Sequence, residues 1–292
     1  MIKSTKLSCC LTSSVTESKD KRYRHQLLKE QSTKRSVMVE ELKTIVQIAH
    51  QDAICHLRKL ADIPPLDPLP PNINDPTRGY PYQLDALTLK GYFGEIFAGI
   101  IAENFSPFGE NSWEIPAFLF RFHNFAFDQL ERWHQIDQDP GIIPGRTGDD
   151  CLAFRRNSRG QITHSLVCEA KCTKDHDSHL IKDAHEKVSE TNPIPINLKQ
   201  LIEILKDSND PISRQWVKPL QELWLLKSNP GHERYDLVSY VCGQQPIRNP
   251  RGWISTDKPH PAYSAGRCLE AVEVHLDDVE NLICEVYGKK VS

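Results

Sequence analysis

The chain has no Cys-x-x-Cys pair, although it carries nine cysteines. Cys9 and Cys10 are adjacent, while Cys55, Cys151, Cys242, Cys268 and Cys284 are scattered, mostly within apolar segments. An odd number of cysteines at such spacing excludes the common zinc and disulfide frameworks and predicts small buried thiols in a reducing cytoplasm. No apolar run approaches the roughly 20 residues of a membrane-spanning helix, so no membrane association is expected. A signal-length apolar stretch is also missing near the start, which argues against secretion. Without a phosphate-cradling Gly-x-x-x-x-Gly-Lys, the chain lacks the signature of an ATP-driven motor.

Charge is present in both signs but unevenly spread. Residues 1–36 hold nine Lys and Arg against three Asp and Glu, leaving 27 against 36 in the remainder. This stretch is polar and aperiodic, and it reads as a basic mobile arm able to meet phosphates through Lys19, Lys21, Arg22, Arg24, Lys34 and Arg35. Residues 37–61 then place Val39, Leu42, Ile45, Val46, Ala49, Ala53, Ile54 and Leu57 at helical spacing. Seven prolines fall between Ile63 and Pro81. Proline at that density removes amide donors, so residues 62–81 read as an extended linker.

The remaining residues, 82–292, read as one α/β domain. A helix is expected over Tyr82–Asn104, a buried strand over Trp113–Phe122 and a helix over Asn124–Trp133. Asp137–Gly148 is rich in turn formers. Cys151–Phe154 and Ile162–Lys171 then read as paired strands around a turn at Asn157–Gly160. Helices at His179–Glu190 and Leu198–Lys206, strands at Tyr235–Cys242 and Leu269–His275, and a closing helix at Asp277–Tyr287 complete the pattern. The order predicts a central mixed sheet of four to six strands flanked by helices, with an N-terminal helical extension.

The chemistry concentrates in Gly145-Arg-Thr-Gly-Asp-Asp150 and Leu166-Val-Cys-Glu169-Ala-Lys171. Strand alternation puts Glu169 and Lys171 on one face, with Cys168, Ala170 and Cys172 on the other. The hairpin brings Asp150, at the start of the first strand, beside Glu169. Carboxylates so placed suit a hard cation such as Mg²⁺, or Mn²⁺, which takes one or two carboxylates plus water and phosphate oxygens. A lysine next to that cation can position water or neutralise charge developing on phosphorus. Glu95, in Gly94-Glu95-Ile-Phe-Ala-Gly99, is the one acid of an apolar helical run. It either joins the carboxylates or ends that helix face.

An aspartate, a gap of about twenty residues and then Glu-x-Lys after an apolar strand resembles the PD-(D/E)XK nuclease superfamily. The upstream helix bearing a glutamate is similar to that family's core as well, and the resemblance covers residues 82–190. It implies a restriction-endonuclease-like sheet and Mg²⁺-dependent phosphodiester hydrolysis, in restriction, repair, recombination or antiphage defence. Carried over by position, Asp150, Glu169 and Glu95 would bind metal and Lys171 would be the catalytic lysine. Asp149 stands where the family has proline. Asp150 is the assigned residue because the apolar run starts immediately after it. The partner implied is nucleic acid, DNA ahead of RNA, with a helicase or ATPase partner protein or a homodimer supplying what one catalytic centre lacks.

Three rivals stand beside this reading. Cys168, Cys172, His176 and His179 fall close together, but their spacing matches no common zinc site. Cys172 with His176 or His179 could form a cysteine hydrolase, yet no flanking signature supports it. A non-catalytic binding subunit with a nuclease-like fold is the third. His176, His179 and His185 could line a substrate groove, and Trp216, Trp224 and Trp253 read as core or interface residues.

Overall fold

The computed structural model describes residues 2, 4–63, 75–120, 127, 131, 148–190, 194–208, 210–226, 231–246 and 252–289. Its centre is a sheet of six strands: β1 (Leu11–Glu17), β2 (Tyr23–Glu30), β3 (Cys151–Arg156), β4 (Ile162–Thr173), β5 (Glu233–Cys242) and β6 (Leu269–His275). They lie in the order β1-β2-β6-β5-β4-β3. The four inner strands run parallel, and an antiparallel strand closes each edge. The chain is therefore α/β with a mixed sheet between helical layers, as the sequence predicts.

Helices cover both faces, as parallel strands buried on two sides require. On one face lie α1 (Thr5–Cys10), α2 (Arg35–Leu60), α3 (Ala86–Asn104) and, near the C-terminus, α8 (Val279–Val286). On the other lie α4 (Ser178–Glu190), α5 (Leu198–Asp207) and α7 (Val217–Leu226), with the single turn α6 (Pro211–Arg214) between the last two. Strand residues divide between the two cores by alternation. Cys151, Ala153, Leu166 and Cys168 join the first, while Leu152, Phe154 and Val167 join the second.

Helix α3 is apolar on nearly all sides and starts at Asp85, whose Oδ1 accepts the N–H groups of Leu87 and Thr88 at 2.8 and 2.9 Å. That cap satisfies amides the helix itself leaves open. Gly94 lets α3 lie directly on β4: a Cβ there would stand 3.3 Å from Cys172 Cβ and 3.8 Å from Ala170 Cβ. The face of β4 that carries Cys168, Ala170 and Cys172 is thus closed by α3.

The N-terminal expectation is corrected. Instead of a mobile arm, residues 4–36 supply α1, β1 and β2, and β2 sits between β1 and β6. Polar strand residues concealed this. His25 and Gln26 are buried, but their partners lie on other elements: Glu273 accepts from His25 Nε2 at 2.9 Å, and Ser13 Oγ and Phe105 O accept from Gln26 Nε2 at 2.9 and 3.4 Å. Of the basic residues expected to meet phosphates, Arg24 and Arg35 instead pair with Glu270 and Glu30.

Two further expectations differ. Residues 113–120 form no strand and join the sheet only through a bridge between Glu114 and Phe154. The side chains of Trp113, Ile115, Phe118 and Phe120 are buried, so the apolar signal marked core rather than a ladder strand. Helix α7 was not anticipated. The expected helix at 124–133 and the turn-rich stretch at 137–147 fall almost wholly outside the described residues, as does most of the proline-dense linker.

Candidate active site

The β3–β4 hairpin builds the site. At its turn, Asn157 Oδ1 accepts the N–H groups of Arg159 and Gln161 at 2.9 and 3.0 Å, and Gly160 takes a φ of +78°. The resulting register sets Cys151 opposite Cys168, so Asp150 stands across from Glu169. Asp150 Oδ2 accepts the Ala170 N–H at 2.9 Å, which turns Oδ1 toward the β4 face that Glu169 occupies.

Glu169 is 3 % exposed. Its Oε1 lies 3.1 Å from Lys171 Nζ, and its Oε2 lies 2.6 Å from Lys187 Nζ on α4. The same Lys187 ammonium is 3.4 Å from Asp150 Oδ1. The two carboxylates are therefore no further apart than the sum of those last two distances. Burial, and next the Asp150 charge, push the Glu169 carboxyl up to about 7, while Lys187 and Lys171 pull it back. Burial works to lower the Lys187 ammonium, but the two carboxylates outweigh it and hold its pKa above the ordinary value.

Asp149, the competing aspartate, is committed elsewhere. Its Oδ2 accepts the N–H groups of Ile196 and Asn197 at 3.1 and 3.3 Å, and its own N–H donates to Asn197 Oδ1 at 2.7 Å. Burial raises its pKa. Gly148 permits this approach, since a Cβ there would fall 2.5 Å from Asn197 Oδ1 and its φ is +116°. Asp149 fixes the turn, and Asp150 is the residue presented to Glu169.

Glu95 is not brought into this cluster. It lies on α3 in the layer across the sheet, where its charge acts on Tyr80, Cys151 and Tyr287. A three-carboxylate metal set of Asp150, Glu169 and Glu95 is not assembled. Among the described residues, no group of three or more His, Cys, Asp or Glu side chains is placed to hold a metal ion.

The remaining pair still suits a hard cation. Both donors are carboxylates, and Glu169 Oε1 is buried without a hydrogen-bond partner among the described residues, the Lys171 ammonium lying near but out of line. Mg²⁺ commonly takes only one or two carboxylates, the rest of its shell being water and phosphate oxygens.

The zinc and thiol rivals lose their geometry. Cys168 and Cys172 face α3, whereas His176 stacks on Trp253 at 3.8 Å, with its Nδ1 3.3 Å from Tyr240 Oη on the other side of the sheet. Burial pushes the Cys172 thiol up to about 12, so it is no nucleophile at neutral pH. His185 is fully buried and donates through Nδ1 to Ile181 O at 2.7 Å, so it does not line a groove. Trp216 is core, while Trp224 is exposed. A cavity of about 650 Å³ between α2 and the α5–α6 corner, lined by Asp52, His56, Asp207 and Asp210 among others, contains none of the cluster's residues.

The chain matches no family model, and its comparison with curated proteins found no similar sequence. Lys187 is the site residue that the sequence did not announce. It lies on an ordinary amphipathic helix, and only the return of α4 across β4 carries its ammonium to the carboxylates.

Proposed function

We propose that the chain is a metal-dependent nuclease that hydrolyses phosphodiester bonds of nucleic acid, DNA ahead of RNA, in the manner of the PD-(D/E)XK superfamily it resembles. The observation that carries this reading is the convergence of Asp150 and Glu169 on one ammonium, with Lys171 beside them, on one face of β4. Asp150 and Glu169 are the residues that would hold Mg²⁺ or Mn²⁺. A cation bound there supplies Lewis-acid polarisation of the phosphate and a more acidic water. Lys171, tethered at Glu169 but 22 % exposed, can reach a phosphate oxygen or hold the attacking water by hydrogen bond. Asp149 and Asn197 keep the Asp150 turn rigid, so its carboxylate is set before a ligand arrives.

The wider assignment follows from the same reading. An effector subunit of a restriction or antiphage system, working in the cytoplasm, would draw strand separation from a helicase or ATPase partner or pair its centres as a homodimer. All nine cysteines are free thiols, in keeping with a reducing compartment. No helix of the described residues is long and apolar enough to cross a membrane.

One observation favours a second reading. Asp150 and Glu169 are already neutralised by Lys171 and Lys187, which is also how a purely structural ion cluster in a non-catalytic binding subunit would look. Incubation of the purified protein with end-labelled single- and double-stranded DNA and RNA in Mg²⁺, Mn²⁺ or EDTA separates the two. Cation-dependent cleavage that EDTA stops is the expected result. A folded protein that cuts none of these substrates in either cation overturns the nuclease reading.

A further inference from the structure

Lys187 is placed with more care than a lysine on a helix surface requires. Immediately after it, the Val188 carbonyl accepts from Arg234 Nη2 at 3.2 Å and from Arg267 Nη2 at 3.1 Å, and the Ser189 carbonyl accepts from Arg267 Nη2 at 3.4 Å. Both arginines are pinned by Asp236, which is wholly buried on β5. Its Oδ1 takes Arg234 Nε at 2.8 Å, and its Oδ2 takes Arg267 Nε at 2.9 Å and Tyr263 Oη at 2.8 Å. Asp236 pairs in register with Val167, two positions before Glu169. The end of α4 is thus bolted to the sheet beside the carboxylates, and cationic groups at a helix C-terminus are favourable in themselves.

With the helix fixed, the freedom left to Lys187 is that of its own four-carbon stem. That side chain is 38 % exposed, against 4 % for Glu169 and 14 % for Asp150. It can leave the carboxylates for solvent without moving the backbone, whereas the carboxylates cannot follow it.

We infer that Lys187 is the resident counter-cation of this site, holding Asp150 and Glu169 together before loading and exchanging with the divalent ion when it binds. The inference rests on the reading that these two carboxylates take a metal. Charge accounts for the exchange. Two ammoniums balance two carboxylates in the resting cluster. Once a divalent ion occupies the carboxylates, Lys171 and Lys187 are left as surplus positive charge around it. The chemical partner for that surplus is the phosphodiester anion, so Lys187 passes from carboxylate to substrate phosphate, while an ion loaded without substrate competes against it.

Manganese titrated calorimetrically into the full-length protein tests this, with Lys187→Met, Lys187→Arg and Glu169→Gln for comparison. Hydrogen bonds to charged groups have a strength that corresponds to about a ten- to hundredfold competition, so Lys187→Met should bind Mn²⁺ tighter by about that factor. Lys187→Arg should bind near the wild-type affinity, and Glu169→Gln should lose binding. Lys187→Gln replaces the Met variant if a thermal melt shows that the latter does not fold. A residue that only stabilised the fold would leave Mn²⁺ affinity unchanged or lower it on removal. Equal or weaker Mn²⁺ binding in the uncharged variants therefore overturns the exchange while leaving the metal site standing. Absence of Mn²⁺ binding in every folded protein, wild type included, removes the metal reading and the exchange together.

Discussion

Two adjacent aspartates carry different duties, and single substitutions should separate them. Asp149 serves backbone amides of Ile196 and Asn197, so Asp149→Ala should cost about 1–3 kcal/mol of stability, the usual penalty for orphaned buried donors. Asp150→Asn keeps the shape of the turn but removes a charge from the cluster, so it should lower Mn²⁺ affinity with a smaller effect on melting. Thermal melts and metal titrations on both variants make the comparison, and the reverse pattern would transfer the ligand role to Asp149. Lys171→Ala should leave folding and metal affinity largely intact yet slow cleavage by about a hundred- to thousandfold, the range for loss of one electrostatic stabiliser. Wild-type cleavage rates in that variant would remove Lys171 from the chemistry. Glu169 and Lys171 were legible in the sequence because strand alternation is local and sets two residues on one face without reference to the rest of the chain. Lys187 was not legible, since its place depends on how α4 packs back across β4, and Glu95 misled because an isolated acid in an apolar helix looks the same whichever face of the sheet the helix covers.

Among the elements, the hairpin and the helix on its back face fix the geometry. Helix α3 lies close on β4 at Gly94, where a Cβ alone would already crowd Cys172, so the branched side chain of Gly94→Val should push the helix off the strand and cost about 1–3 kcal/mol by overpacking. A chemical-denaturation midpoint within error of wild type would show that α3 has room to move. Most inner strands and long helices declared themselves through apolar periodicity, with ends displaced by a few residues. Strand β2 did not, because His25 and Gln26 occupy buried positions and their side chains bond to groups on β6, on β1 and at the end of α3. A polar residue reads as solvent-facing until its distant partner is known.

At the scale of the whole molecule, Glu273 ties three parts together. It accepts from His25 Nε2 on β2 at 2.9 Å, from His275 Nε2 on its own strand at 3.1 Å, and from the N–H groups of Trp253 and Ile254, each at 2.7 Å. Gly252 leaves space for the carboxylate, since a Cβ there would stand 2.6 Å from Oε1. Burial opposes ionisation, but these donors outweigh it and hold the carboxyl at about 2, below its ordinary 4.5. Between those values the unfolded chain binds the extra proton, so stability rises with pH there and is lost as pH falls from about 4.5 toward 2. The loss amounts to something on the order of 3 kcal/mol. Glu273→Gln should flatten that acid limb in urea midpoints measured across the range, and an unchanged slope would place the acid sensitivity elsewhere.

The strand order also sets a schedule for synthesis. His25 and Glu273, joined in the finished sheet, are separated by 248 positions along the chain. Strand β2 leaves the ribosome long before its parallel neighbour β6. Until β6 emerges, β2 has only β1 to pair with, and the buried faces of Tyr23, Leu27 and Leu28 have no completed layer to enter. Pairings so distant in sequence form slowly and leave edges open to wrong partners meanwhile. The hairpin that presents Asp150 and Glu169 can form as soon as residues 150–173 are out, whereas the end of α4 that carries Lys187 is fixed only after Asp236 and Arg267 follow, so the candidate site is begun early and completed late.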